Sequence, residues 1–254
     1  MCLMRSLAFL LFFLVLPYSA RAAELTIALE DAEYFPWQLE SGIGADTYLI
    51  ETAARNLGHR LIFKRVPWTR CLNQIGNNKF DGCYSASFEP ERMKHGVFPM
   101  AGDRPDPAKR LHSESYSLYV QDQSSVNWTG AGFENLNGDI GAIFGYSIIE
   151  HLKNNNANVY EAHSLERLFK MLDAGRLDAV ASLTLQADYI IQRTPGYGER
   201  ILKAEIPLAE KHYYLMFSHK MANTHPALVA DFYEEIERIR QSAGYRDHYS
   251  NLVR

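Results

Sequence analysis

From Glu24 onward the chain alternates short runs of β-branched and apolar residues with segments of helical period, an order that selects an α/β protein over a sandwich or a bundle. Residues 25–29 read as a first strand. Asp46 is placed to cap a helix with Leu49, Ile50, Ala53 and Leu57 on one face, and Gly58 ends it. Residues 61–66 give a second strand, 69–75 a short helix and 80–85 a third strand. This βαβαβ order predicts a parallel sheet with right-handed crossovers.

A second block repeats the theme. Residues 140–144 form a strand and 146–153 a helix, and Ser164 caps a helix that gathers Leu165, Leu168, Phe169 and Leu172 before Gly175 stops it. Gly175-Arg176-Leu177-Asp178-Ala179 echoes Asn78-Lys79-Phe80-Asp81-Gly82 about one hundred residues earlier. Two blocks of one order suggest two similar lobes, residues 23–115 with 219–254 and residues 116–218. The extended stretches 115–121 and 212–218 cross between them, and such crossings make a hinge because a few residues can absorb the rotation of a rigid lobe. The tail, residues 226–252, is helical, with Leu228, Val229, Phe232, Ile236 and Ile239 as the stripe that packs on the first lobe.

The N-terminal stretch bears on compartment. Arg5 precedes an unbroken apolar run over residues 7–16, and Ala20-Arg21-Ala22 offers small side chains for cleavage, so residues 1–22 read as a secretory signal peptide and the expected location is the periplasm. Ten apolar residues span only about 15 Å of helix, roughly half a bilayer core. That segment carries Arg5 and Arg21 and no acid, so removing it takes 26 basic residues to 24 against 30 acidic ones, a balance of about −6. An acidic surface argues against nucleic acid. The nine histidines are scattered, with no HExxH or comparable spacing, so neither metal nor cofactor is expected. Cys71 and Cys83 remain, and in an oxidising compartment a disulfide between them is expected. Monomer is the default state.

The stretch Asp81-Gly82-Cys83-Tyr84-Ser85-Ala86-Ser87-Phe88-Glu89-Pro90-Glu91-Arg92 carries the chemistry. A strand delivers two serines and an arginine into a loop. The planar fork of arginine matches a carboxylate bidentately, and hydroxyls nearby can satisfy the remaining lone pairs. A surface arginine after a helix cap is the competing reading.

Here the sequence resembles the amino-acid-type periplasmic solute-binding proteins of ABC importers, bacterial extracellular solute-binding family 3, whose pattern is Asp-(Ala/Gly), a strand, then Ser-x-Thr-x-x-Arg. Tyr34-Phe35-Pro36-Trp37, Gly44-Ala45-Asp46, Val66-Pro67-Trp68 and Gly175-Arg176-Leu177-Asp178-Ala179 are similar to further family segments in the same order. The resemblance implies a two-lobed type II periplasmic-binding fold and a set of roles. Arg92 would clamp a ligand carboxylate beside Ser85 and Ser87, while Tyr34 and Trp68 would sandwich the ligand body. From the second lobe, Gly145, Tyr146 and Ser147 would offer bare backbone amides at a strand-to-helix turn. An ABC permease would be the partner, with a membrane sensor as the alternative.

Departures from the family pattern bear on the ligand. Where amino-acid binders carry an aspartate for the ligand's ammonium, this chain has Leu183; either Glu33 or Asp31 takes over, or the ligand is not an ordinary α-amino acid. In the replaced connection over residues 100–111, Asp103, Arg104, Asp106, Lys109 and Arg110 either flank the cleft or lie in a solvated loop. A dehydratase acting on cyclohexadienyl acids within the same fold is the enzymatic alternative, with Glu150 as its nearest proton carrier. No Ser-His-Asp or Cys-His arrangement is present, and binding without catalysis is the expectation.

Overall fold

The protein is described by a computed structural model, which covers residues 24–254. The expected signal peptide lies outside the described residues. Strand β1 (Glu24–Glu30) leads to helix α1 (Ala45–Asn56), then β2 (Arg60–Val66), α2 (Trp68–Gly76), β3 (Gly82–Ser87) and a 3-10 turn (Pro90–Lys94). A two-stranded ribbon, β4 (Met100–Ala101) with β5 (Arg104–Pro105), precedes the long strand β6 (His112–Gln121). A second ribbon joins β7 (Asn127–Trp128) to β8 (Phe133–Glu134). There follow β9 (Ile140–Ile143), α3 (Ile148–Asn154), β10 (Val159–Ala162), α4 (Leu165–Asp173), β11 (Ala179–Leu183), α5 (Thr184–Arg193), α6 (Tyr197–Arg200) and β12 (Ile201–Lys203). The chain returns through β13 (Ala209–Phe217) to α7 (His219–Thr224), α8 (Pro226–Arg240) and α9 (Ala243–Leu252). The tail is thus helical but broken, because Ser242 accepts from Tyr245 N and starts α9 afresh.

Both βαβαβ blocks form as expected. β1 lies between β2 and β3, parallel to both, and β9 lies between β10 and β11 in the same way. The sequence echo is also a structural one. Asp81 Oδ2 accepts from Thr26 N at 2.8 Å, and Asp178 Oδ2 accepts from Asn137 N and Gly138 N at 2.9 and 2.6 Å. Each aspartate, placed just before a strand, pins backbone donors at the start of its own block's first strand.

β6 and β13 join the two parallel groups. They pair antiparallel over His112–Tyr116 and Ala209–Tyr213; β6 then runs on beside β11, and β13 beside β3, a pairing interrupted by a register break between Tyr214 and Met216. One nine-stranded sheet therefore passes through both lobes. α1 turns Ala45, Leu49, Ile50 and Ala53 inward and packs on α8 and α9, so the tail closes the first lobe.

Asp46 corrects the expected helix cap. The first amides of α1 are taken by main-chain carbonyls, Ala45 N donating to Pro36 O and Asp46 N to Trp37 O, each at 3.0 Å. Gly44 permits this approach, since a β-carbon there would meet Trp37 O at 2.3 Å. The Asp46 side chain is fully buried instead, accepting from Ser85 Oγ at 2.5 Å and sitting 2.9 Å from His112 Nδ1.

The expected disulfide is also corrected. Cys71 and Cys83 are free thiols, both fully buried beside Trp68, Ile75, Phe98 and Met216. The hydrogen bond to Cys83 and burial hold the Cys71 thiol well above its ordinary range. The pair packs as two small apolar residues. Among the described residues no helix is long and apolar enough to cross a membrane.

Candidate ligand-binding site

The cleft is walled by five parts of the fold. β1 and the loop after it bring Glu30, Tyr34 and Gln38; α2 begins at Trp68; β3 and its 3-10 turn carry Tyr84, Ser85, Ser87 and Arg92. The crossing strands add Tyr116 and Tyr213, and the second lobe adds Tyr146, Ser147 and Leu183. Of the eight residues singled out in the sequence, seven line this space, and Gly145 reaches it through its carbonyl.

Arg92 is only 7% exposed. Its Nη1 donates to Ser87 O at 2.7 Å and Ser87 Oγ at 2.8 Å, and its Nη2 to Gly145 O at 3.1 Å across the cleft. The guanidinium carbon lies 5.0 Å from the Trp68 ring centroid. Those bonds use three of five N–H donors and leave two. Burial lowers its pKa, yet a guanidinium keeps its charge, and among the described residues no carboxylate forms an ion pair with it. Trp68 Nε1, buried in the same wall, has no hydrogen-bond partner among the described residues. A buried cation and a buried donor without acceptors are costly until an acceptor group meets them.

The other expected roles are realised differently. Ser87 Oγ donates to Ser147 Oγ at 2.9 Å and joins the lobes, whereas the Ser85 hydroxyl is spent on Asp46. Of the amides expected from the strand-to-helix turn, Tyr146 N is committed to Ile143 O, and the turn also offers the Gly145 carbonyl to Arg92. Gly145 adopts φ +78°, and a β-carbon there would come 2.8 Å from Thr69 Cγ2 of the opposite lobe.

Three acids to which the sequence reading gave no place in the site shape it. Glu30 receives the Tyr146 hydroxyl at 2.7 Å, and burial, partly offset by that bond, raises its pKa to about 7. Glu114 accepts from Tyr34 Oη at 2.5 Å, Trp37 Nε1 at 2.6 Å and Leu185 N at 2.8 Å, which fixes Tyr34 as a wall. Asp46 holds Ser85 from behind. All three depend on partners at least 39 residues distant, so no local motif announces them. Neither Asp31 nor Glu33 lines the inner space, and Glu150 is exposed. The alternatives for residues 100–111 resolve in favour of a loop outside the cleft: Asp106 caps its own turn, and Lys109 pairs with Glu234 and Glu237.

The lobes are closed on one another. Arg92 to Gly145, Ser87 to Ser147 and Glu30 to Tyr146 are joined at the outer rim by Gln186 Nε2 to Glu33 O at 3.2 Å and by Phe35 stacked on Tyr189 at 4.8 Å. The free volume left inside is about 30 Å³, room for about two waters. Glu30 and Tyr146 separate it from an outer groove of about 270 Å³, where Glu33, Glu40 and Glu166 are lining residues and no lysine or arginine is.

No protein-family model and no curated protein matches the chain. Solved structures do. An ancestral arginine-binding protein bound to glutamine shares 18% identity at a TM-score of 0.70, covering 90% of this chain and 97% of that one. The arginine-, lysine-, histidine-binding protein ArtJ from Geobacillus stearothermophilus shares 16% at 0.71, covering 91% and 95%. The GluR0 ligand-binding core from Nostoc punctiforme in complex with L-glutamate shares 15% at 0.70, covering 90% and 98%. At such identities the likeness speaks to architecture, and it agrees with the crossing strands and paired βαβαβ blocks: the chain has the two-lobed type II periplasmic-binding fold.

Proposed function

We propose that this protein captures a small carboxylate-bearing solute, an amino acid or a related acid, between its lobes in the periplasm and delivers it to an ABC-type membrane transporter. The observation that carries this reading is Arg92, a buried guanidinium with two uncommitted donors and no acid partner among the described residues, beside the unpartnered Trp68 Nε1. A ligand carboxylate would satisfy both, and the contacts from both lobes would favour the closed form. The hinge lies where β6 and β13 part, near Tyr116 and Tyr213. The acidic outer groove favours a ligand whose far end is cationic. The amino-acid-binding structures described above, and the substrate-binding protein of an amino acid ABC transporter at 16% identity and a TM-score of 0.70, support the same direction. The likeness to the GluR0 ligand-binding core favours a second reading, a sensory module that signals the same closure to a receptor.

The test is native mass spectrometry of the freshly purified protein to find a carried ligand, followed by calorimetry with that ligand on Arg92→Ala. Loss of binding with an unchanged unfolding midpoint is expected. Undiminished affinity would remove Arg92 from the site and with it this reading.

A further inference from the structure

A second groove, of about 330 Å³, lies outside the cleft where the start of β6 meets α8 and α9. Arg110 and Arg240 line it together with Trp37, Tyr245 and Tyr249, and His112 belongs to the same lining. Arg240 reaches from α8 to the chain before β6, donating from Nε to Arg110 O at 3.0 Å and from Nη2 to Ala108 O at 2.8 Å. Arg110 donates from Nη1 to Pro107 O at 2.5 Å. These are bonds to neutral carbonyls, and neither guanidinium forms an ion pair among the described residues. Glu237, the acid whose charge acts on Arg240, is paired with Lys109.

Two half-buried guanidinium groups next to each other repel. Burial and then Arg110 lower the pKa of Arg240, and after burial the same two arginines lower that of His212. The imidazole of His112 adds an independent sign of a missing partner. It is 3% exposed, stacked 4.0 Å from Trp37 and 4.6 Å from Tyr213, and bonded through Nδ1 to Asp46; its Nε2 is buried with no hydrogen-bond partner. Five donors on each guanidinium, with two and one of them used on carbonyls, leave ample capacity for an incoming acceptor.

We infer that Arg110, Arg240 and His112 form a second ligand site, one that takes a small oxyanion, a carboxylate or a phosphate group, on the outer face of the first lobe. The guanidinium groups supply the planar fork that such groups accept. The site shares one imidazole with the cleft, since His112 stacks on Tyr213 and reaches Ser85 through Asp46. It does not depend on what the cleft binds.

The test is a titration of the purified protein, labelled with ¹⁵N-histidine, in which the His112 Nε2 resonance is followed with inorganic phosphate in one arm and acetate in the other. Sodium chloride at matched ionic strength controls for screening. A saturable shift with phosphate, acetate or both is expected, and the responding arm names the chemistry of the natural ligand. Arg110→Gln, which removes no interaction beyond one loop carbonyl bond, should weaken binding by about tenfold or more, equivalent to about 1.4 kcal/mol. Arg240→Gln should do the same, and Arg92→Ala should leave the titration unchanged. No saturable shift beyond the chloride control, or identical curves for the parent protein and Arg110→Gln, would overturn the site.

Discussion

The Tyr146 hydroxyl donates to Glu30 Oε2 at 2.7 Å, so a ring from the second lobe holds an acid of the first across the cleft. Both residues line the inner space and also the acidic groove outside it. Burial dominates the Glu30 environment, Tyr146 and Arg92 favour its charged form, and Asp31 opposes it. The group titrates near 7 in the folded chain against 4.5 for a free side chain.

That shift has a definite sign. The folded state holds the Glu30 proton more tightly than the unfolded state, so this group's contribution to stability is full below pH 4.5 and declines as pH rises to about 7. The decline is at most about 1.4 kcal/mol per pH unit. Glu30→Gln, neutral like the protonated acid, should lack this pH dependence, so its unfolding midpoint should rise relative to that of the parent across the interval. Parallel curves would show that Glu30 titrates normally.

Gly145→Ala should hinder closure. A left-handed backbone costs an alanine about 1–2 kcal/mol, and the new methyl would meet Thr69 of the other lobe at 2.8 Å only when the lobes are together. Ligand affinity should fall by about tenfold or more. Small-angle scattering should report a larger radius, and adding Thr69→Ser should recover part of the loss. No recovery would exclude the contact as the cause.

Glu114→Ala should destabilise the fold more than Arg92→Ala does. It strands three donors, Tyr34 Oη, Trp37 Nε1 and Leu185 N, at a cost of about 1–3 kcal/mol for each one left unpaired. Urea unfolding measures the difference. A change below about 0.5 kcal/mol would mean that these donors find other partners.

Cys71 and Cys83 should both be free and inert. In protein lacking residues 1–22, thiol titration should find two sulfhydryls after denaturation and almost none before it, given that both side chains are fully buried. Absence of thiols after denaturation would restore the bridge.

Much of the fold was legible because its signals are local. The inward residues of α4, its Ser164 cap and the Gly175 stop follow from helical period and capping chemistry alone, as do the apolar stripe of α8 and the order of both βαβαβ blocks. Arg92, Ser87, Tyr34 and Trp68 were legible through chemistry and the family resemblance, and all four line one cleft.

The amino-acid sequence alone settled the main strands and helices of both blocks and which side chains carry useful donors. Only the tertiary structure decided where the charges go. Asp46 looks like a helix cap until the loop at Trp37 takes the helix amides and His112, 66 residues away, claims the carboxylate. Glu30 and Glu114 carry no local mark of their burial, because a period of two reveals alternation but not which face the rest of the chain will cover. Cys71 and Cys83 suggest a bridge if the chain is exported, yet α2 and β3 bury both as thiols. Hydrogen bonding and burial at long sequence separation set these outcomes, and neither is encoded at any single position.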